Sequence, residues 1–215
     1  MKLIENYNSV ADSIPKSVTL VAVSKTKPMD QIQSLYDHGV RDFGENKVQE
    51  LVEKSESLPT DIQWHAIGHL QRNKVKYIAP FIYLVHAVEN IKLLKEIDKR
   101  AQQNDRIIDY LFQVHIAKEE SKFGWYKAEL KAVLDSQEHL QFKNTRLRGF
   151  MAMTTNTKDQ NQIAAEFKSL QALFEEYKSE QIDTLSMGMS GDYPIAIAHG
   201  SNLIRVGSQI FGARN

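Results

Sequence analysis

The stretch VTLVAVS, residues 18–24, decides the fold class, because five of its seven residues are apolar and they fall on both faces of an extended strand. A strand with one wet face alternates apolar and polar residues, whereas a strand covered on both faces reads as a nearly continuous apolar run. Further strand candidates follow along the chain, at residues 41–44, 62–67, 82–87, 110–116, 146–151, 184–188 and 203–207. Most of them are also apolar on both faces, which is typical of parallel strands buried between helices.

The segments between these strands have helical spacing and are long enough for helical crossovers. Two apolar stripes illustrate the spacing: Ile91, Leu94, Lys95 and Ile97 in one segment, and Ile163, Phe167, Leu170, Phe174 and Tyr177 in another. Eight such units in 215 residues predict a (β/α)8 (TIM) barrel, formed as a single domain over residues 1–215 with a leading helix over 1–15. A doubly wound open sheet is the alternative, although no G-x-G-x-x-G fingerprint follows the first strand.

Composition excludes several classes of function. The chain has 27 Lys and Arg residues against 27 Asp and Glu residues, and it has no cysteine. Zero net charge argues against a broad nucleic-acid-binding surface, and the lack of cysteine excludes disulfides, thiolate nucleophiles and Cys-ligated zinc. The longest mostly apolar run, residues 79–88, is about half the roughly twenty residues of a membrane-spanning helix. No secretory signal pattern is present at the start, so we expect a cytoplasmic protein with neither nucleic-acid nor membrane partners.

Polar residues gather where the predicted strands end, which is where (β/α)8 barrels carry their chemistry. Lys25 directly follows the first strand. An amine shielded from water at the mouth of a barrel can attack a carbonyl, whereas the alternative is a lysine that only extends its charge into solvent.

The turns after the seventh and eighth strands have the composition of a phosphate site. Met189 and Ser190 lie in MGMSGD, residues 187–192, and Gly207 and Ser208 follow the last strand. Glycine lets backbone N–H groups approach an anion, serine adds a hydroxyl donor, and barrels frequently bind phosphate after these two strands. The alternative is that these residues only cap a helix and form a turn.

Arg205 lies two residues before the second of these turns, inside the eighth predicted strand. An arginine that points into a barrel needs an acceptor, because burial without a partner is costly. Spacing alone leaves two acceptors open, a bound ligand or a carboxylate such as Glu45. A ring nitrogen that accepts from arginine must itself be unprotonated.

The histidines suggest a rival function. His65, His86 and His115 are predicted at or near the ends of neighbouring strands, with His69 and His199 close to strand ends as well. Such a cluster with an open coordination position would suit a metal-dependent hydrolase. No H-x-H pair occurs on one strand, so histidines that only satisfy their hydrogen bonds inside the barrel are the favoured interpretation, with no metal.

Seven motifs in order give the chain a specific resemblance: VAVSKTKP (residues 21–28), FGENKVQE (43–50), WHAIGHLQRNK (64–74), SKFG (121–124), RGFMAM (148–153), LSMGMSGD (185–192) and GSNLIRVGSQIFGAR (200–214). Together they closely resemble the pyridoxal phosphate (PLP) homeostasis protein family, whose members are single-domain relatives of the alanine racemase barrel.

The resemblance implies roles for the residues at the strand ends. Lys25 would carry PLP as a Schiff base, and Asn46 would approach the ring hydroxyl. Arg205 would face the pyridine nitrogen. The phosphate would be held by Ser190, Gly207 and Ser208, with Met189 in the same loop. The family pattern more often has Asn at His115, Thr at Asn202 and Thr at Ser208. Of these departures only His115 is expected to alter what lies above the ring.

The resemblance implies a PLP carrier rather than an enzyme. PLP enzymes draw electrons into a protonated pyridinium, and an arginine at that nitrogen weakens this effect. The barrel is followed by only a few residues, so we expect no second, catalytic domain. We therefore expect a monomer or weak dimer that buffers PLP and delivers it to apo-enzymes. A low-activity PLP-dependent racemase and a Schiff-base lyase that uses Lys25 without PLP remain alternatives, and the role of Lys122 stays open.

Overall fold

The computed structural model describes residues 2–120 and 122–212. Ser121 of the SKFG motif and residues 213 and 214 of the last motif lie outside the described residues. Eight parallel strands pair in chain order and the eighth closes onto the first, which confirms the predicted (β/α)8 barrel. The strands are β1 (Thr19–Val23), β2 (Asp42–Glu45), β3 (Gln63–Ala66), β4 (Leu84–Val88), β5 (Ile108–Gln113), β6 (Thr145–Met151), β7 (Thr184–Met189) and β8 (Leu203–Val206).

The helices that alternate with the strands cover the outside of the barrel. They are α1 (Lys2–Asp12), α2 (Met29–Asp37), α3 (Val48–Ser57), α4 (Val75–Ile78), α5 (Ile91–Gln102), α6 (Lys127–Asp135), α7 (Gln160–Tyr177), α8 (Tyr193–Ala198) and α9 (Ser208–Phe211), with 3-10 turns at Arg72–Lys74 and Glu138–Gln141. None of the helices within residues 2–120 and 122–212 combines the length and the hydropathy that crossing a bilayer requires.

Two elements end three residues earlier than predicted, for local reasons. The leading helix ends at Asp12 instead of residue 15, because Pro15 disfavours helical geometry in the residue before it. The fifth strand begins at Ile108 and ends at Gln113, two residues before its predicted start and three before its predicted end. The backbone N–H groups of Val114 and His115 bond the carbonyls of Met151 and Trp125, so the chain bends into the loop there.

Most of the hydrophobic core lies between the barrel wall and the helices. Helix α7 buries Ile163, Phe167, Leu170 and Phe174, as its apolar spacing predicts. In α5 the buried stripe contains Leu93, whereas Lys95 is exposed and does not belong to it. A second, smaller cluster fills the barrel interior, formed by Val21, Leu84, Ala87, Leu111, Met151 and Leu203. The interior therefore has room for polar side chains beside this small apolar cluster.

Candidate functional site

A cavity of about 440 Å³ opens at the carboxyl ends of the strands. All seven residues that the sequence assigned to a site contribute to its lining, namely Lys25, Asn46, Met189, Ser190, Arg205, Gly207 and Ser208. They come from four separate parts of the chain, the ends of β1, β2, β7 and β8. Closure of the barrel brings these ends together, so the predicted residues share one cavity.

Lys25 lies in a tight turn that begins at the end of β1. The carbonyl of Ser24 accepts the backbone N–H of Lys27 at 3.0 Å, and Thr26 has a φ of +63°. A residue other than glycine rarely adopts this left-handed geometry, so the surroundings must hold it in place. The Lys25 side chain is half-buried at the cavity wall.

A buried ionic network below this turn supplies that support. Lys54 of α3 donates to the carbonyl of Ser24 at 2.9 Å, to Glu45 Oε1 at 2.7 Å and to Glu50 Oε1 at 2.7 Å. The Ser24 hydroxyl also donates to Glu45 Oε1, and the Thr26 N–H donates to Glu50 Oε1. Burial raises the pKa of Glu45, although Lys54 and Ser24 oppose the shift. The network fixes the backbone on both sides of Lys25.

This network also answers the question that spacing left open for Arg205. Glu45 contacts Ser24 and Lys54, so Glu45 is not the partner of Arg205. Instead Nη1 of Arg205 donates to the Ser186 hydroxyl, and Nη2 donates to the carbonyl of Ala152 at 3.0 Å. Burial lowers the pKa of Arg205 to about 10, so the guanidinium remains charged at neutral pH. With five N–H donors in a guanidinium, these two bonds leave others for an acceptor in the cavity.

The turns after β7 and β8 meet on one side of the cavity. The backbone N–H of Gly207 donates to Ser190 Oγ at 3.3 Å, and Gln209 Nε2 donates to the carbonyl of Ser190 at 2.7 Å. A Cβ on Gly207 would lie 3.1 Å from the carbonyl oxygen of Val23, so close packing against β1 favours glycine here. The two predicted turns thus form a single polar corner.

Several lining residues were missed by the sequence analysis, because nothing in their spacing marks them. Gln113 is buried and donates from Nε2 to the carbonyl of Phe123 at 2.8 Å. The Phe123 ring stacks on His69 with centroids 4.2 Å apart, and His69 pairs with Glu89 at 3.1 Å. A Cβ on Gly68 would lie 2.6 Å from the carbonyl oxygen of Asn46. Part of the cavity wall is therefore built from the end of β5 and from the segments that follow β3 and β5.

The structure does not support the metal-site alternative. His65 and His86 lie inside β3 and β4, not at the cavity, and His65 Nδ1 is 2.9 Å from His86 Nε2. His115 lies after β5, where Nε2 is 3.0 Å from the carbonyl oxygen of Glu119. Among residues 2–120 and 122–212, no three His, Asp or Glu side chains are grouped so that they could hold a metal ion.

Lys122 and His115, whose roles the sequence left open, both lie in the loop between β5 and α6. Lys122 donates to the carbonyl of Thr154 and pairs with Glu119 at 3.3 Å. The backbone N–H of Asn156 bonds Glu119 and lowers the pKa of that carboxyl to about 2. In the described part of the chain, neither Lys122 nor His115 is among the residues that line the cavity.

The buried His86 should make folding stability depend on pH. Burial, with further contributions from His65 and Arg205, lowers the pKa of His86 well below its ordinary 6.5. On acidification this histidine takes up a proton in the unfolded chain but not in the folded chain. The contribution of His86 to folding stability is therefore present above pH 6.5 and is lost progressively below it. We expect the contribution of this group to lower the free energy of unfolding in urea by about 1 kcal/mol between pH 6.5 and 5.5. His86→Gln should reduce this dependence of stability on pH, whereas substitution of the exposed His38 by Gln should not change it. An unchanged pH dependence in His86→Gln would contradict the assignment of the effect to His86.

Comparison with known proteins adds independent information. The family model of the alanine racemase N-terminal domain matches residues 1–215. The pyridoxal phosphate homeostasis protein of Synechocystis sp. is 37% identical over 213 residues, which cover 97% of this chain and 97% of that one.

The chain belongs to the pyridoxal phosphate homeostasis protein family.

Solved structures agree with this membership. PipY of Synechococcus elongatus, a structure with PLP bound, is 34% identical and has a TM-score of 0.87, covering 98% of this chain and 100% of that one. The structure of PipY without PLP has a TM-score of 0.92 at 33% identity, covering 99% of this chain and 100% of that one. Alanine racemase of Clostridium difficile shares the fold, with a TM-score of 0.82 at 12% identity over 99% of this chain and 57% of that one. The resemblance indicated by the seven motifs is confirmed, and so is the alanine-racemase-like barrel.

Proposed function

We propose that this chain binds PLP as a Schiff base on Lys25 and serves in PLP homeostasis, as its relatives' names indicate for them. The observation that carries the proposal is that the amine of Lys25, the polar corner of Ser190 and Ser208, and the guanidinium of Arg205 line one cavity. The aldehyde of PLP needs an amine with which to condense, its phosphate needs hydrogen-bond donors, and its ring nitrogen needs a further donor. PipY with PLP bound, 34% identical over 98% of this chain, supports the same ligand.

The residues present fit the group. The cavity of about 440 Å³ is in the range of small-molecule sites. Met153 and Ile67 add apolar surface to its lining, where an aromatic ring would lie. Asn46 would approach the ring hydroxyl, and Met189 would flank the phosphate loop. When bound, PLP supplies an aldehyde for condensation with an amine, with release of one water, and a pyridine ring that can withdraw electrons.

The same residues favour a carrier over an enzyme. Arg205 is charged and can only donate, so it would keep the ring nitrogen of bound PLP unprotonated and would weaken the withdrawal of electrons that racemisation needs. We propose accordingly that the chain buffers PLP in the cytoplasm and hands it to apo-enzymes. Measuring alanine racemisation with the purified, PLP-loaded protein tests this, and turnover at rates typical of enzymes, about 1 per second or more, contradicts it.

The visible spectrum of the purified protein tests cofactor binding. A Schiff base of PLP absorbs in the visible range, and borohydride reduction should bleach that absorbance and fix the pyridoxyl group to the chain. A protein that binds PLP without any borohydride-sensitive absorbance contradicts a Schiff base. A protein that neither binds PLP nor changes its spectrum contradicts the proposed function as a whole.

The polar corner should recognise the phosphate and nothing else on the ligand. Ser190 accepts the N–H of Gly207, so its hydroxyl hydrogen can point toward an anion, and Ser208 is exposed to the cavity. Because hydrogen bonds to charged groups contribute about 1.5–3 kcal/mol, Ser190→Ala and Ser208→Ala should each weaken PLP binding by about 10-fold or more. Pyridoxal, which lacks the phosphate, is the matched ligand and should bind the variants and the wild type equally. Equal losses for both ligands contradict the assignment.

A further inference from the structure

A chain of hydrogen bonds crosses the barrel interior from Arg205 to Asp42. The Arg205 guanidinium donates to Ser186 Oγ, and Ser186 Oγ lies 3.1 Å from His86 Nδ1. His86 Nε2 lies 2.9 Å from His65 Nδ1, and His65 Nε2 lies 3.0 Å from Asp42 Oδ1. Asp42 is the first residue of β2, at the end of the barrel opposite the cavity. The described contacts thus join the cavity to the other end of the barrel.

The middle members of this chain of hydrogen bonds are buried away from water. Ser186 and His86 are fully buried, and His65 is 1% exposed. Arg205 lines the cavity that contains Lys25, whereas His65 and Asp42 line a separate polar cavity of about 320 Å³. Buried polar side chains persist only when their hydrogen bonds are satisfied, so each member depends on the next.

Arg205 at one end and Asp42 at the other determine which atom donates in each hydrogen bond between them. Arginine can only donate, so the Ser186 hydroxyl accepts from it and can donate onward to His86 Nδ1. An ionised carboxylate can only accept, so His65 must carry its proton on Nε2 toward Asp42, which leaves Nδ1 as an acceptor. His86 Nε2–H fills that acceptor. With both imidazoles neutral, each carries its proton on Nε2, and no step of the chain has two donors or two acceptors facing each other.

A protonated imidazole would break this order. A second proton on His65 would place an N–H against the N–H of His86, and a second proton on His86 would place an N–H against the Ser186 hydroxyl hydrogen. It would also put another positive charge beside Arg205 in the dry interior of the barrel.

We propose that Ser186, His86, His65 and Asp42 are positioning residues that form a directed relay and hold Arg205 in the orientation in which it donates to the ring nitrogen of PLP. This inference rests on the proposed function. Arg205 has a side chain with several rotatable bonds, and two of its donors are fixed by Ser186 and Ala152, which sets the plane of the remaining donors. The Asp42 carboxylate fixes the tautomers from the far end. Through the relay, Asp42 influences the orientation of Arg205 although Asp42 does not line the cavity that contains Lys25.

The test compares PLP with its 1-deaza analogue, in which a C–H replaces the ring nitrogen. The wild type should bind PLP more tightly by about 10-fold or more, because only PLP accepts a hydrogen bond from Arg205. Ser186→Ala, His86→Gln and Asp42→Ala should reduce this preference to within about 3-fold, which corresponds to less than about 0.7 kcal/mol. Affinities are measured by fluorescence titration of the apo-protein.

Matched controls separate the relay from general loss of packing. Ser201 is also buried between β7 and β8, but its hydroxyl contacts backbone groups: it accepts the N–H of Met187 and lies within hydrogen-bond distance of the carbonyls of Leu185, Met187 and Leu203. Ser201→Ala should therefore keep the full preference. Asp61 pairs with Arg41 outside the relay, so Asp61→Ala should also keep the preference for PLP over its 1-deaza analogue. Nitrogen NMR of the apo-protein gives a second measurement, which should show Nε2–H tautomers for both His65 and His86.

The outcomes are distinguishable. A preference for PLP that survives Ser186→Ala or Asp42→Ala overturns the relay, and so does an Nδ1–H tautomer at His65 or His86. A wild type that forms no adduct with either compound overturns the proposed function, and in that case the NMR result still decides the proton order of the relay.

Discussion

Lys25→Ala is expected to remove the covalent attachment of PLP completely. The variant should show no borohydride-sensitive visible absorbance, and no pyridoxyl group should be found after reduction and digestion. The phosphate contacts remain, so residual non-covalent binding should persist with an affinity on the order of 100-fold lower or weaker, since covalent capture requires an amine held next to the aldehyde. Peptide mass spectrometry of reduced wild type and variant measures the change.

Lys27→Ala is the matched control for this experiment. Lys27 lies in the same turn and lines the same cavity, but its amine donates to the carbonyl of Phe211 at 3.2 Å. The adduct on Lys25 should therefore persist in this variant with little change in yield. If reduction instead labels Lys27, or Lys122 on the loop after β5, the assignment of Lys25 is wrong.

Lys54→Met is expected to cause the largest loss of stability. The Lys54 side chain is 4% exposed and its partner Glu45 is fully buried, so the substitution leaves a carboxylate without its cation in the barrel wall. Removing one partner of a buried ion pair costs about 3–5 kcal/mol, a large part of the roughly 5–15 kcal/mol that a domain has. Urea unfolding at pH 7 measures the loss. The deficit should shrink at lower pH, where Glu45 takes up a proton.

Two further variants sharpen this prediction. Lys131→Met breaks an exposed pair with Glu176 and should leave the midpoint of urea unfolding nearly unchanged, because solvent screens exposed pairs. Glu45→Leu combined with Lys54→Met removes both charges and should recover much of the loss, because an apolar pair of similar size has no charge to bury. If Lys54→Met is as stable as Lys131→Met, the buried network does not support the turn that carries Lys25.

The barrel could be predicted from sequence because its signal is local and repeated. Apolar runs such as residues 18–24 recur with helical segments between them, and each run is buried on both faces by the same packing. Strand ends were less predictable. The fifth strand ends at Gln113 because its next backbone N–H groups bond across to Met151 and Trp125, contacts that no local pattern encodes.

The sequence could predict those cavity residues that closely follow the end of a strand. Lys25, Ser190 and Ser208 stand within two residues of the ends of β1, β7 and β8, and in a barrel all such positions lie at the same end. Gln113 and Phe123 escaped prediction because their contribution depends on how the loop after β5 folds back.

By itself the sequence determined the alternation of eight strands with helices and the polar residues that follow the ends of β1, β2, β7 and β8, because periodicity and strand-end position are properties of neighbouring residues. Only the tertiary structure decided the partners of the buried charges. Lys54 could not be matched to Glu45, nor His65 to His86, from spacing, since these side chains lie on different strands and helices and meet only after the barrel closes. Burial then makes each pairing obligatory, because an unpaired charge or polar group has no water to replace the missing partner.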